Sequence, residues 1–135
     1  MLIILCGLIG SGKTTFAMRN YRYFTDLDFM PPYSRKTDQI RWTLSLLEKH
    51  DLVCHITCYP TPEELEAFKD IENKQFVWIN TTLNQARTNI LIRKRPRDME
   101  NLKRVFDRNY QYLQTARRSP IKFTVVNVFM PKEYY

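Results

Sequence analysis

Gly7-Leu8-Ile9-Gly10-Ser11-Gly12-Lys13-Thr14-Thr15 is the stretch that decides the fold. It fits the pattern G-x-x-x-x-G-K-[ST], with Gly7, Gly12, Lys13 and Thr14 at the fixed positions. Leu2-Ile3-Ile4-Leu5-Cys6 before it is an apolar run of strand length, and Phe16-Ala17-Met18-Arg19-Asn20 after it continues as a helix. A strand, a tight loop and a helix are the context this pattern needs. The chain has three glycines, and all of them fall between Gly7 and Gly12. Ordinary turn use would have scattered them.

The chemistry follows from the backbone. Glycine reaches angles barred to other residues and leaves no side chain in the way. Successive N–H groups can then turn inward as an anion-binding nest at a positive helix end. Gly7, Gly10, Ser11, Gly12, Lys13, Thr14 and Thr15 are therefore expected to bind the phosphates of ATP or GTP. In such a P-loop, Lys13 reaches the β- and γ-phosphates and the Thr14 hydroxyl is a ligand of Mg²⁺.

At 135 residues the chain makes one domain with one substantial core. We expect that domain to span 1–130, with a lid near 93–98 and a loose tail at 131–135. No apolar run approaches the roughly 20 residues of a membrane span, so a membrane partner is not expected. The apolar first residues lack a basic leader and read as a buried strand rather than a signal peptide. Cys6, Cys54 and Cys58 are an odd set without metal-site spacing. Reduced thiols and an intracellular, cytoplasmic setting are expected from them. The net charge of +7 favours phosphate-rich partners, nucleotide or nucleic acid. Part of it could equally serve the triphosphate in a basic lid.

Beyond the loop, the first helix is expected to end near Asn20 and Tyr21 to Phe24 to form a second strand. Thr37-Asp38 caps a helix to about His50, with Ile40, Leu44 and Leu47 inward and Trp42 and Leu46 widening the face. Leu52 to Thr57 reads as a third strand. Pro60-Thr61-Pro62-Glu63-Glu64 is a strong helix start, with Thr61 capping. Gln75 to Ile79 is a fourth strand, and Thr81 or Thr82 caps the next helix. Asp98 to Arg117 reads as the longest helix, with Leu102, Val105, Phe106, Tyr110 and Leu113 along one stripe. Phe123 to Val128 is a fifth strand. Alternating strands and helices imply a parallel five-stranded sheet covered on both faces, an α/β three-layer fold. Ligands sit beyond the carboxyl ends of such strands.

Two further stretches carry chemistry. Asp26 and Asp28 follow the second strand, and their spacing puts both side chains on one side if the chain stays extended. One carboxylate could orient and deprotonate an accepting hydroxyl while the other helps to hold Mg²⁺. Glu63-Glu64 is the fallback acidic pair. Arg93-Lys94-Arg95-Pro96-Arg97 lies between two helices, where arginines can close over a migrating phosphoryl group. Arg93, Arg95 and Arg97 are the candidates. His55 is expected to be a packed strand residue. Tyr21, Tyr23, Phe29 and Tyr33 flank the aspartates, and could stack on a base or simply pack.

The loop, the aspartates and the basic segment together resemble P-loop kinases of the nucleoside-monophosphate kinase type. Phe24-x-Asp26-x-Asp28 is similar to the F-x-D-x-D of shikimate and gluconate kinases, and the second-strand aspartate is similar to that of phage polynucleotide 5′-hydroxyl kinases. The resemblance implies the sheet order 2-3-1-4-5. It also implies Asp26 near Mg²⁺ beside Thr14, Asp28 at the acceptor, and Arg87 as the arginine that stacks on adenine. There are departures from the pattern. His55-Ile56-Thr57-Cys58 ends the third strand without a Walker B acid, as it does in shikimate kinases, and no Gly-Gly matches a shikimate site. The expectation is an ATP-dependent phosphotransferase acting on a hydroxyl or phosphate acceptor, a nucleotide or polynucleotide 5′ end. A small-metabolite kinase, a non-catalytic nucleotide-binding regulatory protein and a toxin-like kinase of the zeta group are the rivals.

Overall fold

The computed structural model describes residues 1–128, so the expected tail at 131–135 lies outside the described residues. The elements in chain order are β1 (Leu2–Cys6), α1 (Lys13–Asn20), β2 (Phe24–Thr25), a 3₁₀ turn (Leu27–Phe29), α2 (Lys36–Lys49) and β3 (Val53–Ile56). There follow α3 (Pro62–Phe68), β4 (Lys74–Asn80), α4 (Leu83–Arg93), α5 (Pro96–Met99), α6 (Leu102–Arg118) and β5 (Thr124–Asn127). The strands form one sheet in the order β2-β3-β1-β4-β5, as the resemblance implies. Every pairing is parallel, with Leu2 against Val53 on one side and Lys74 on the other.

β1 is buried along its whole length because both of its faces are covered. Leu2, Ile4 and Cys6 join Ile40 of α2, Phe68 of α3 and Trp78, with Leu113 and Ala116 of α6 packed against them. Ile3 and Leu5 face the other way, with Ala17 of α1, Val77 and Ile79. The period-two alternation of one strand thus builds two apolar layers. Helix starts follow the capping chemistry. The Thr61 hydroxyl accepts from the Glu64 N–H at 3.1 Å, and the Glu64 carboxylate accepts from the Thr61 N–H at 2.9 Å. Thr82 caps α4 through the Gln85 N–H, and Asp38 reaches back to the Arg35 N–H.

The structure redraws two elements, the second strand and the last helix, and revises the buried faces of two helices. The second strand is Phe24–Thr25, not Tyr21 to Phe24. Tyr21 instead ends α1, packed on Phe16. The long last helix is two pieces, because Pro96 starts the short α5 and Asn101 caps a new helix by accepting from the Arg104 N–H. Its buried stripe runs through Val105 and Asn109, and Tyr110 is exposed. In α2 the inward positions are Gln39, Ile40 and Thr43, and Trp42 is exposed.

Candidate active site

The glycine loop leaves β1 at Gly7, whose N–H donates to the Cys58 carbonyl at 3.0 Å. A Cβ on Gly7 would meet Ser11 Oγ at 2.7 Å and one on Gly10 would meet the Ala86 carbonyl at 2.7 Å, so the loop closes tightly on itself and on α4. Gly10 and Gly12 have φ of 82° and 90°, the left-handed region. Two asparagines clamp the loop from outside. Asn109 of α6 accepts from the Ile9 N–H at 2.7 Å and donates to the Ile9 carbonyl at 2.9 Å. Asn89 of α4 donates to the Gly10 carbonyl at 2.8 Å. Neither was legible as a site residue from the loop motif. A polar residue at Asn109 on an otherwise apolar stripe was the available signal.

Ser11 Oγ is fully buried and has no hydrogen-bond partner among the described residues. A buried hydroxyl left unpaired is costly in a purely structural loop, and it fits a loop shaped for an anion. Lys13 Nζ donates to the Gly7 and Leu8 carbonyls at 2.9 and 2.8 Å. The amine thus rests on its own loop.

Thr14 lies in the first turn of α1, and its hydroxyl donates to Asp26 Oδ2 at 2.7 Å. This contact joins the glycine loop to the end of β2. Asp26 is extended, but the chain then turns at Leu27–Phe29, so it does not stay extended through Asp28. The cause is local: Asp26 Oδ1 accepts from the Asp28 N–H at 3.0 Å, an Asx-type cap. The two carboxylates therefore diverge. Asp26 is nearly buried and faces Thr14, and Asp28 meets Arg95 Nη1 at 3.0 Å and Arg97 Nη2 at 2.5 Å. Burial would push the Asp28 carboxyl up, but Arg97 and Arg95 hold it below the ordinary carboxylate range. Arg93 does not join them. It pairs with the buried Asp98 at 3.0 Å and ties α4 to α5. Lys94 between them is left-handed, with φ of 48°, and turns the chain out of α4.

Lys13, Asp26, Asp28, Lys36, Arg97 and Arg108 line one cleft of about 520 Å³. The aromatics expected near the aspartates do not line it. Tyr23 stacks on His50 and Tyr33 is fully exposed, while Tyr59 and Tyr112 face the cleft instead. Arg87 lies 4.8 Å over the Phe106 ring, beside a second recess of about 130 Å³ that Asn84 and Asn109 share.

His55 is fully buried, as expected of a packed strand residue, yet it belongs to a polar chain. Its Nε2 hydrogen-bonds Glu64 Oε2, and its Nδ1 meets Thr43 Oγ1 at 2.6 Å. Thr43 meets Thr25 Oγ1 at 2.6 Å, and Thr25 accepts from Gln39 Nε2 at 3.3 Å. Gln39 Nε2 has two N–H groups, which go to the Thr25 and Ile56 carbonyls at 3.1 and 2.8 Å, so its contact with Thr25 Oγ1 is the weakest of three. Burial pushes the His55 pKa down, against the pull of Glu64. Burial would raise the Glu64 carboxyl, but His55, Lys36 and the Thr61 N–H hold it ionised below its usual range. Of the fallback acidic pair, Glu63 is exposed and Glu64 is committed to this chain. No acid takes the Walker B position, where Thr57 donates to Glu64 at 3.0 Å.

Two oxygens, Thr14 Oγ1 and Asp26 Oδ2, are placed to serve a Mg²⁺ ion. That ion commonly takes one or two protein ligands and completes its shell with phosphate and water, so the absence of a cluster of three acidic, His or Cys ligands among the described residues does not disqualify it. The three cysteines are free, and burial pushes the thiols of Cys6 and Cys54 up. No described helix is long and apolar enough to cross a membrane.

No protein-family model and no curated protein matches the sequence. Solved structures do match the fold. A gluconokinase from Sinorhizobium meliloti 1021 superposes with a TM-score of 0.58 at 16% identity, over 96% of this chain and 83% of that one. A deoxyadenosine kinase from M. mycoides with bound dATP gives a TM-score of 0.53 at 14% identity, over 94% and 91%. The chain therefore has the three-layer α/β fold of these kinases, with its glycine loop at the carboxyl edge of the sheet.

Proposed function

We propose that this chain is an ATP-dependent kinase that transfers the γ-phosphoryl group to a hydroxyl or phosphate acceptor, a nucleotide or a polynucleotide 5′ end. The observation that carries the reading is the 2.7 Å bond from Thr14 to Asp26, which puts the phosphate-binding loop and a second-strand carboxylate in one site with Asp28 and two lid arginines. The kinase neighbours in fold support the same reaction class. In this reading the nest from Gly7 to Thr15 holds the phosphates of ATP or GTP, and Arg87 stacks on the base. Thr14 and Asp26 would hold Mg²⁺, which would offset charge on the phosphates. Asp28 orients the acceptor O–H and takes its proton. The acceptor oxygen bonds to the γ-phosphorus as the bond to the bridging oxygen breaks, and the diphosphate leaves. Arg95 and Arg97 are already at Asp28, and a triphosphate would draw them toward the transferring group, which frees the carboxylate to act. Arg93 contributes by holding the lid to Asp98. The protein would act in the cytoplasm.

The test is phosphoryl transfer from labelled ATP to nucleosides, nucleotides, 5′-hydroxyl oligonucleotides and sugars. Lys13→Ala removes the amine of the loop and is expected to abolish turnover and weaken ATP binding while the fold persists. A Lys13→Ala protein that bound and turned over ATP like its parent would refute the reading. Transfer to sugars alone would replace the acceptor class with a small metabolite.

A further inference from the structure

Lys36 opens α2, and its ammonium sits in a prepared socket at the cleft wall. It donates to Gln39 Oε1 at 3.0 Å, and lies 3.4 Å from Thr57 Oγ1 and 3.5 Å from Glu64 Oε2. The side chain is 22% exposed, whereas Glu64 behind it is 1% exposed. The socket is rigid for identifiable reasons. Gln39 is fixed by donating to the Thr25 and Ile56 carbonyls, at the ends of β2 and β3. Glu64 is fixed by His55, Thr57 and the Thr61 N–H. Lysines are ordinarily among the most mobile side chains, and ordering one is costly in rotamer entropy. Here the chain buries a carboxylate and an imidazole to aim one ammonium at the cleft that holds Asp28. Two of its three polar contacts are long, so the amine keeps hydrogen-bonding capacity for a ligand.

Arg104 and Arg108 stand one helical turn apart on α6 and line the same cleft. No ion pair among the described residues uses either of them. Of the acids that line the cleft, Asp28 is matched by Arg95 and Arg97, Asp98 by Arg93 and Asp26 by the Thr14 hydroxyl, and Glu100 is the fourth. The same two arginines border a second surface depression, with Lys103 and Gln111, so the basic face continues outward from the cleft.

Resting on the kinase reading above, we propose that the acceptor carries a phosphate group of its own, held between Lys36 and the Arg104–Arg108 face. Lys36 supplies a fixed point charge, and the arginines supply planar forks that suit phosphate oxygens. Asp28 then meets a hydroxyl a few bonds away from that phosphate. The phosphate belongs either to a mononucleotide or to the first phosphodiester of an oligonucleotide. Glu64 and His55 are positioning residues that act through Lys36.

The test is direct binding by calorimetry with ADP and Mg²⁺ present, alongside transfer assays. The probes are a nucleoside, its 3′-monophosphate and a 5′-hydroxyl dinucleotide, each in all four bases. The 3′-monophosphate is expected to bind at least about tenfold tighter than the nucleoside, in line with a charged hydrogen bond. Lys36→Gln and the double variant Arg104→Gln/Arg108→Gln should each lose most of that gain, and Lys36→Arg should keep part of it. The two arginines are exposed, so their variant should fold even if Lys36→Gln does not. A dinucleotide that binds at least as tightly as the monophosphate identifies the phosphodiester source, and weaker binding identifies the mononucleotide. Equal binding of nucleoside and 3′-monophosphate by the parent, or an undiminished gain in the variants, overturns the subsite. Transfer to a nucleoside without any gain from the phosphate would leave the kinase reading intact. A Lys36-dependent gain without transfer to any probe would leave the subsite and remove the kinase.

Discussion

Asp28→Asn separates the chemistry of the site from its stability. The change keeps the shape of the side chain and removes its charge. Two ion pairs are lost, to Arg95 at 3.0 Å and Arg97 at 2.5 Å. Both are open to water, since Arg97 is 69% and Asp28 32% exposed. Exposed pairs contribute roughly 0.2–1 kcal/mol each, so the fold should lose no more than about 2 kcal/mol, a fall of several degrees in Tm. The rate should respond far more. A positioned general base contributes a factor of about 10² to 10⁴, or roughly 3–5 kcal/mol on the barrier. ATP binding rests on the loop and on Thr14 and Asp26, none of which the change touches. Transfer from labelled ATP should therefore fall by at least about 10², with ATP affinity by calorimetry within a few-fold of the parent. In the free parent, the arginines keep the Asp28 pKa low, so the acid limb of kcat/KM falls below the ordinary carboxylate range. The same depression stabilises the fold above the unfolded carboxylate pKa, and that stabilisation is lost as pH falls through the folded value. A transfer rate within threefold of the parent, or a loss of ATP binding equal to the loss of rate, would refute the assignment of Asp28.

Three other outcomes follow from the geometry. Asp26→Asn leaves the cap on the Asp28 N–H possible but weakens the oxygen pair with Thr14, so transfer should need more Mg²⁺ for half-saturation; an unchanged Mg²⁺ titration would remove Asp26 from the metal. Gly10→Ala places a Cβ 2.7 Å from the Ala86 carbonyl in a backbone with φ of 82°, so thermal melts should show a loss of about 1–3 kcal/mol together with weaker nucleotide binding, and a neutral substitution would contradict the loop geometry. Chemical unfolding as a function of pH should show stability falling on acidification. Neutral His55 has a lowered pKa, so its share is complete above the unfolded value near 6.5 and is lost as pH falls toward the folded one, and Glu64 adds a further loss below its unfolded value near 4.3. A His55→Gln variant with the same acid limb between the two windows would show that the histidine is not the sensor.

What was legible in the sequence is what local chemistry fixes. The Gly7–Thr15 loop needs its glycines where φ is positive or where a Cβ would clash, and that requirement is written in consecutive residues. The strand order rests on a resemblance, and the pairing of five parallel strands bears it out. Boundaries slipped where a single residue overrode periodicity: Pro96 and Asn101 divide the last helix, and Asp26 turns the chain by bonding the N–H two residues on. The spacing of Asp26 and Asp28 identified both residues, but the turn sent them to different partners.

The part that stayed out of reach is held by contacts across the chain. Asn109 clamps Ile9 from 100 residues away, and no window of sequence contains both. Lys36 looks like any exposed helix-start lysine until Thr57, just past β3, and Glu64 of α3 are brought beside it and Gln39 of its own helix. His55 reads as a lone strand histidine, and packing alone would account for its burial. Burial lowers its pKa against the pull of Glu64 and keeps the imidazole neutral. The neutral imidazole leaves the Glu64 charge for Lys36, so the network that fixes His55 also fixes the cation at the cleft.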